Sequence, residues 1–374
     1  MKSSNFGYLG GVDQIRGIAA LWIAAYHYYI FASHYFVLNR TYSSSTPPSE
    51  YWLWSFNPLH SILAFGHTAV SLFMVLSGFI FTYGAGNQQI QYLGFIKNRL
   101  LRVYPLWVIL VLCGIATTTS TVDFLTFAEA LLPVGLRSNP LPWTPFTAMH
   151  WSLVIEFQFY LLFPLLLTAA RKMGVFRFIV VTIGGLALLR ILAVGFGADS
   201  LKLAYYGIVG RLDQFLLGML LAHLYDLGLP SKKQAKVALP IVLVAVIVLM
   251  MYATKYGLAT SQGWGQAFRM TLEGAIWALG IACYLRVAEN LPRWTSVILE
   301  KVGEMSFSIY MLHIAVIWLF VRHNPWIRSG AGVGVDLLTN FFILVLPSVL
   351  LVASVSFHAF EKPFLNLRVR YLQP

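Results

Sequence analysis

An arginine and a histidine lie on one face of the first apolar segment of the chain. Arg16 and His27 are separated by eleven positions, which in an α-helix leaves them about 20° apart around the axis and roughly 16 Å apart along it. Asp13, one turn before Arg16, shares this face and can orient or neutralise the guanidinium. A histidine changes protonation state near neutral pH, which suits general-base chemistry. His27 is therefore a candidate catalytic residue, and the alternative is a hydrogen-bonded histidine that only packs.

Two arginines precede another apolar segment. Arg99 and Arg102 are three residues apart and share a helix face, and Pro105 suits the first turn of a helix that follows them. Guanidinium groups just ahead of a helix N-terminus suit a phosphate, because the free backbone N–H groups and the helix dipole add to their charge. Arginines here are equally typical of a cytoplasmic membrane anchor. The spacing leaves both interpretations open.

A carboxylate lies inside a third apolar segment. Ser152, Glu156 and Tyr160 recur every fourth residue and share one helix face. The rise per residue places Glu156 roughly 10 Å below the outer membrane surface. A buried carboxylate must be paired or protonated, and Arg211, on another segment running in the same direction, is expected at matching depth. We predict either an ion pair between Glu156 and Arg211 or a site for a hydroxylated substrate.

A second histidine occurs near the C-terminal end of the chain. Ser306, Tyr310 and His313 form a stripe along one helix face. His313 is expected at a depth similar to that of His27, so two histidines from different segments can face one cavity. The alternative is a stripe of interhelical hydrogen bonds.

Membrane helices must hold these side chains, because the composition is that of a membrane protein. Apolar residues make up 58% of the 374 residues and charged residues 11%, and the mean hydropathy is +0.72, whereas a soluble domain carries about 25% charge. A helix needs about 20 apolar residues to cross a bilayer. We predict an all-α polytopic membrane protein of about ten transmembrane helices, over 15–38, 61–83, 104–121, 149–169, 176–195, 205–226, 237–256, 266–286, 303–321 and 335–358. The region near residue 200 is a candidate for a re-entrant passage. Close packing between two helices is predicted at the small residues Ser71, Ser77 and Gly78.

The charge distribution predicts the orientation of these helices. Most of the 26 Lys and Arg residues fall on the side of the N-terminus, so we expect both termini to be cytoplasmic. The net charge of +12 is divided among short loops, which argues against a nucleic-acid partner.

Cys113 and Cys283 are not spaced as the ligands of a metal site, so no metal is expected. The longest connections, about 39–60 and 122–148, are too short for a soluble domain, and residues 1–374 are predicted to form a single transmembrane domain.

Several of these segments resemble the integral-membrane acyltransferase family 3. The resemblance covers nearly the whole chain, and no single motif in it is specific, but six occur in the family's order. They are Val12 to Ala20 followed by His27, Ser71 to Phe79, Arg99 to Arg102, Trp151 to Tyr160, Ser306 to His313, and Phe360 to Phe364. Ser71 departs from the pattern, since many members carry a larger polar or acidic group there, and this leaves open which carboxylate supports the histidine.

The resemblance implies an acyl-CoA-dependent O-acyltransferase that acts on glycans or similar acceptors. It also implies a location in the plasma (inner) membrane. Because the chain stops at Pro374, we expect the family type that has no soluble domain. The resemblance implies acyl-CoA, most simply acetyl-CoA, as donor substrate, with no permanently bound cofactor. His27 is then the catalytic general base or a transient acyl carrier, and Arg16, Arg99 and Arg102 bind the donor. Glu156, Arg211 and His313 are expected near the acceptor or as structural polar residues. Asp13 and Ser77 are expected to support the site.

A transporter or a flippase for a lipid-linked glycan is the competing interpretation, because buried charges within ten helices suit transport as well. Such a protein has no need of cytoplasmic arginines beneath a histidine in the middle of the membrane. Binding of acyl-CoA to the purified protein distinguishes the two functions.

Overall fold

The computed structural model describes residues 7–38, 57–132, 140–256 and 263–373. Most of the predicted loop 39–60 and the middle of the loop 122–148 lie outside the described residues. In chain order the helices are α1 (Gly10–Leu38), α2 (Pro58–Ala64), α3 (Ala69–Ala85), α4 (Tyr92–Thr117), α5 (Phe124–Leu131), α6 (His150–Met173), α7 (Val175–Gly195), α8 (Ser200–Tyr206), α9 (Ile208–Asp226), α10 (Lys232–Lys255), α11 (Gln266–Val287), α12 (Arg293–Glu304), α13 (Ser306–His323), α14 (Val333–Asn340), α15 (Leu346–Ser356) and α16 (Lys362–Leu365). There are also two strands of two residues each, β1 (Gln89–Ile90) and β2 (Leu372–Gln373). Short 3₁₀ turns occur at Gly66–Thr68 and Ala288–Asn290, and π-helical turns at Phe341–Val345 and Phe357–Glu361.

Within the described ranges, eight helical stretches are long and apolar enough to cross a membrane, and α8 with α9 forms a ninth candidate that is bent by 46°. The bend falls at Gly207, close to the region predicted to be irregular. The remaining predicted segment lies within α1, which has 29 residues but is less apolar because it carries Asp13, Arg16 and His27. Much of α1 is buried among other helices, so fewer of its side chains meet lipid. The all-α polytopic fold class is confirmed.

One helix begins earlier than the sequence predicted. The segment was expected to start near Pro105, whereas α4 starts at Tyr92 and contains Pro105 in its interior. Arg99 and Arg102 therefore lie within the helix, in its second and third turns, and free N–H groups of a helix N-terminus do not contribute beside them. The helix N-terminus was thus predicted at the wrong place, and the phosphate-binding role of these arginines stays a prediction that rests on their side chains alone.

Helices α3 and α9 cross at a contact between their backbones. A Cβ atom added to Gly78 would lie 2.0 Å from the carbonyl oxygen of Phe215, and one added to Gly218 would lie 2.1 Å from that of Val75. Only glycine permits so close an approach. Gly78 thus has the packing role that its sequence neighbourhood predicted, and the crossing orients the adjacent Ser77 toward the helices on the other side of α3.

Helix α1 is held in place by α12 and α13. A Cβ atom on Gly303 of α12 would lie 1.9 Å from the carbonyl oxygen of Asp13, and one on Gly17 would lie 2.6 Å from that of Leu299. These contacts fix the part of α1 that carries Arg16, while its middle packs along α13. The two helices that carry His27 and His313 are therefore neighbours.

The end of the chain returns to the start of α4. Strands β1 and β2 pair antiparallel, with Gln89 opposite Gln373. The amide of Asn98 adds two hydrogen bonds to Val369, donating to its carbonyl oxygen at 2.7 Å and accepting from its N–H at 2.9 Å. Since Val369 is held beside α4, the neighbouring Arg368 lies close to Arg99.

Candidate active site

A cavity of about 200 Å³ lies between α1, α3, α4, α6 and α13. It is far larger than the roughly 10–15 Å³ that a single water needs, so it can admit part of a ligand. Its lining combines arginine side chains with serine, tyrosine and glutamate side chains and with apolar ones.

Four arginines line the cavity: Arg16, Arg99, Arg102 and Arg368. Three of them are the residues that the sequence singled out. Arg16 has Asp13 as its neighbour, at 3.7 Å between Nη1 and Oδ1. The geometry is therefore that expected for Asp13 as an orienting residue, while the phosphate-binding role of the arginines stays a prediction.

Arg102 is paired with a buried carboxylate. Its Nη1 atom lies 2.8 Å from Oε2 of Glu361, a side chain with 0% exposure. Ser308 also donates to Glu361. The charge of Arg102 is therefore compensated within the protein, and Glu361 anchors the last helical turns against α4.

Arg99 is held by aromatic rings and not by a carboxylate. Its guanidinium lies 4.7 Å from the ring centre of Phe81 and 5.4 Å from that of Phe95. Among the described residues, no carboxylate lies within ion-pairing distance of Arg99. Cation–π contacts hold a guanidinium in place without neutralising its charge, so Arg99 keeps its charge for a ligand.

Sequence reasoning missed Arg368. Burial and the nearby charges of Arg99, Arg102 and Arg16 lower the pKa of Arg368 to about 9. Burial contributes most to this shift, and repulsion from the neighbouring arginines adds to it. An anion would relieve that repulsion. The only signal in the sequence was a basic residue shortly after the last motif, and its position depends on a chain reversal that no periodicity reveals.

Glu156 lies in this cavity, and the predicted ion pair with Arg211 was wrong. Ser77 donates to Glu156 at 3.3 Å, and Tyr160 donates to it as well. The face shared by Ser152, Glu156 and Tyr160 was predicted correctly, but it turns toward the arginine cavity. Depth in the membrane can be estimated from a sequence, whereas the direction in which a helix face points cannot.

Arg211 belongs to a separate polar cluster. Its Nη1 donates to Ser71 Oγ at 3.0 Å, and its guanidinium lies 4.3 Å from the ring centre of Tyr205. Ser71 in turn donates to Glu273 at 2.6 Å, as does Thr68. Glu273 was missed, although a lone carboxylate within an apolar segment was a usable signal. The hydroxyl of Ser71 thus connects an arginine to a glutamate on another helix.

The two histidines are in direct contact. Nε2 of His313 lies 2.9 Å from Nδ1 of His27, and the ring centres are 4.9 Å apart. His313 is fully buried, whereas His27 is only partly so. Neither ring contacts a carboxylate within the described ranges, so the partner of His27 that the sequence left open is another histidine.

Tyr310 connects the cavity with this pair. Tyr310 lines the cavity, and its hydroxyl lies 2.6 Å from Ser152 Oγ. The ring of Tyr310 is 6.1 Å from that of His313. The stripe of Ser306, Tyr310 and His313 therefore links the cavity to the histidines. No group of three or more potential metal ligands was found in the described part of the chain.

Comparison with known proteins identifies related chains. A family model described as an acyltransferase domain matches residues 9–357. Acyltransferase MdmB of Streptomyces mycarofaciens is 25% identical over 284 residues, which cover 68% of this chain and 69% of the relative. O-acetyltransferase OatA of Staphylococcus aureus (strain NCTC 8325 / PS 47) is 23% identical over 390 residues, which cover 95% of this chain but 57% of the relative. No solved structure matches this chain.

Proposed function

Because the chain belongs to the acyltransferase 3 family, whose model matches residues 9–357, we propose that it is a membrane O-acetyltransferase. It takes an acetyl group from cytoplasmic acetyl-CoA and transfers it to a hydroxyl of a carbohydrate or glycan-like acceptor. One observation carries the proposal: four arginines share a cavity with Tyr310, whose ring lies 6.1 Å from that of His313, the hydrogen-bond partner of His27. The name of the staphylococcal relative, an O-acetyltransferase, supports the acetyl group and the hydroxyl acceptor.

The phosphates of the donor bind among the arginines. Arg99 and Arg368, which have no described carboxylate partner, make the main contacts, and Arg16 and Arg102 add to the positive field. Guanidinium groups bind phosphate oxygens through charge-assisted hydrogen bonds. The thioester arm then lies along the cavity, where Glu156 accepts hydrogen bonds from the amide N–H groups of that arm. Arg16 and His27 are roughly 16 Å apart along α1, a distance that an extended arm can cover.

His27 performs the chemistry in one of two ways. As a general base it takes the proton of the acceptor hydroxyl while that oxygen attacks the thioester carbon, and it returns the proton to the departing CoA thiolate. As a carrier it attacks the carbon itself and forms an acyl-imidazole, which the hydroxyl then displaces. Rapid-quench labelling with radioactive acetyl-CoA separates them, because only the carrier scheme gives protein-bound label that is lost in His27→Ala.

The acceptor approaches from the opposite side of the membrane. Trp151, Tyr205 and Tyr206 form an aromatic group there, with ring centres 5.2 to 5.4 Å apart, and Arg211 lies against two of these rings. Aromatic rings bind the apolar faces of sugars, and an arginine supplies hydrogen bonds to hydroxyls. This placement requires cytoplasmic termini in the plasma (inner) membrane, as the basic loops predict.

The test uses the whole chain in lipid nanodiscs. Binding of labelled acetyl-CoA is measured first, and transfer to a panel of alkyl glycosides is then followed by mass spectrometry as an acetyl-sized mass increase. We expect binding and transfer by the wild type, and binding without transfer by His27→Ala. Failure of the wild type to bind acetyl-CoA contradicts the proposal and favours a transporter or flippase. Retained transfer by His27→Ala contradicts the role of the histidine.

A further inference from the structure

The hydrogen bonds around the two histidines determine which nitrogen carries each proton. Nδ1 of His313 lies 3.0 Å from the carbonyl oxygen of Ile309. A carbonyl oxygen only accepts, so Nδ1 of His313 carries a hydrogen. A neutral imidazole has one N–H group, and a neutral ring is favoured because a charge inside the membrane is costly. Nε2 of His313 is therefore a hydrogen-bond acceptor.

This acceptor faces His27. Nε2 of His313 lies 2.9 Å from Nδ1 of His27, which also lies 3.1 Å from the carbonyl oxygen of Ile23. Both neighbours of Nδ1 can only accept, so Nδ1 of His27 must carry the hydrogen. The lone pair of His27 is then on Nε2, which makes no hydrogen bond with any described residue.

We propose that His313 is a positioning residue that, together with the carbonyl oxygen of Ile23, fixes the tautomer of His27 and leaves its Nε2 free to react. This inference rests on the proposed function. It adds a specific role for His313, which the sequence predicted only to lie near the acceptor or to be a structural polar residue. A neutral imidazole whose tautomer is fixed by its other nitrogen is a recurrent requirement of histidine chemistry. Here the closer of the two acceptors is a second imidazole, which is oriented by the backbone of its own helix.

The same contact stabilises the charged form of His27 that both reaction schemes require. In the base scheme Nε2 takes the hydroxyl proton, the acceptor oxygen bonds to the thioester carbon, the C–S bond breaks, and the thiolate receives the proton. In the carrier scheme Nε2 bonds to that carbon and the C–S bond breaks with departure of the thiolate. The acceptor oxygen then displaces the imidazole, and the hydroxyl proton is transferred to the thiolate. In each scheme the ring of His27 becomes cationic, and the hydrogen bond from Nδ1 to Nε2 of His313 strengthens.

A purely structural role for His313 makes a different prediction. If the hydrogen bond between α1 and α13 contributes only to stability, its loss lowers the unfolding temperature but leaves the kcat of the folded protein unchanged. His313→Leu removes the acceptor with little change in volume, and His313→Gln can restore it with a side-chain oxygen. His34→Leu is the matched control, because His34 is a fully buried histidine of α1 whose Nδ1 lies 3.0 Å from the carbonyl oxygen of Ile30.

Steady-state acetyl transfer separates these roles. A positioned acid–base group contributes about 10²–10⁴-fold to the rate. Since His313 acts through His27, we expect His313→Leu to lose at least the lower end of that range in kcat, with the KM for acetyl-CoA within about threefold of the wild type. His313→Gln should recover at least tenfold of that loss, and His34→Leu should keep the wild-type kcat. Equal losses in the Leu and Gln variants, or a wild-type kcat in His313→Leu, overturn the proposal.

A second measurement does not depend on acetyl transfer. Diethyl pyrocarbonate reacts with the free lone pair of an imidazole, and mass spectrometry reports the modification of His27 relative to the exposed His358. We expect His27 to react several-fold more slowly in His313→Leu than in the wild type or in His34→Leu. Equal rates in the wild type and His313→Leu overturn the proposal. If the wild type transfers no acetyl group, the proposed function fails, while this measurement still tests the histidine pair.

Discussion

Arginines that look alike in the sequence differ in how their charge is balanced. Arg102 has Glu361 at 2.8 Å, whereas Arg99 lies against aromatic rings and Arg368 lies among other arginines. A guanidinium already paired with a carboxylate loses that partner when it binds an anion, while an unbalanced one gains from the anion directly. The arginines are therefore expected to respond differently to substitution.

Loss of Arg99 or Arg368 should weaken donor binding. A hydrogen bond to a charged group contributes about 1.5–3 kcal/mol, so Arg99→Ala and Arg368→Ala should each raise the KM for acetyl-CoA about tenfold or more and leave kcat within about threefold. Inhibition by adenosine 3′,5′-bisphosphate, which resembles the polar end of CoA, should weaken in parallel. Arg370→Ala is the control, because Arg370 is exposed and does not line the cavity. An unchanged KM in both variants would exclude a phosphate site here.

Loss of Arg102 should destabilise the protein as well. Arg102→Ala leaves Glu361 buried without its ionic partner, and breaking a buried pair from one side costs about 3–5 kcal/mol. We expect a clearly lower unfolding temperature in detergent, partly restored in the double variant Arg102→Ala with Glu361→Gln, because the second change removes the uncompensated charge. A wild-type unfolding temperature for Arg102→Ala would show that this pair does not anchor the C-terminal helical turns.

Glycines at two helix crossings set the positions of the helices that carry the candidate site. Gly78 and Gly218 bring α3 and α9 into backbone contact, and Gly17 and Gly303 do the same for α1 and α12. The first crossing turns Ser77 toward Glu156, and the second holds the part of α1 that carries Arg16. Small residues that allow such approaches are the usual means of packing helices in membranes.

A methyl group at the first crossing should be destabilising. Gly78→Ala would place a Cβ atom 2.0 Å from a backbone oxygen of α9, and relief requires the helices to separate, at a cost of about 1–3 kcal/mol. Gly184→Ala in α7 is the matched control, because nothing lies within 4 Å of its added Cβ and alanine is the better helix former. Thermal unfolding followed by size exclusion should show a lower midpoint for Gly78→Ala only. Equal midpoints would mean that the crossing tolerates separation.

At the scale of the whole molecule, the proposed reaction depends on which side each end of the cavity faces. Lys202 and Lys233 are both exposed, and α9 lies between them in the chain. If α8 and α9 cross the membrane once, these lysines lie on opposite sides. The distribution of basic residues predicts that Lys233 lies in the cytoplasm, and the proposed donor site requires the four arginines to lie on the same side.

Cysteine labelling tests this arrangement. In a variant in which Cys113 and Cys283 are replaced by serine, Lys202→Cys should react with a membrane-impermeant maleimide in intact cells, whereas Lys233→Cys should react only after the cells are permeabilised. The reverse pattern would place the arginines outside and contradict a cytoplasmic donor. Labelling of both cysteines in intact cells would show that α8 and α9 form a re-entrant passage.

The sequence alone determined the properties that follow from local physics. The number of apolar residues needed to cross a bilayer located the helices, and helical periodicity correctly placed Ser152, Glu156 and Tyr160 on one face. The helix starting at Tyr92 was placed twelve residues too late, because the polar residues before Pro105 hide a helix that begins outside the apolar window. Local patterns thus predicted the elements and most of the candidate residues.

The tertiary structure alone decided which faces meet. His27 and His313 are 286 residues apart in the chain, Arg368 reaches Arg99 through contacts between residues 271 apart, and Glu156 turns toward arginines and away from Arg211. Periodicity fixes which side chains share a face of one helix, but the partner of that face depends on the crossings with other helices. Those crossings are set by backbone contacts at a few glycines and by pairing between distant strands, which no local pattern contains.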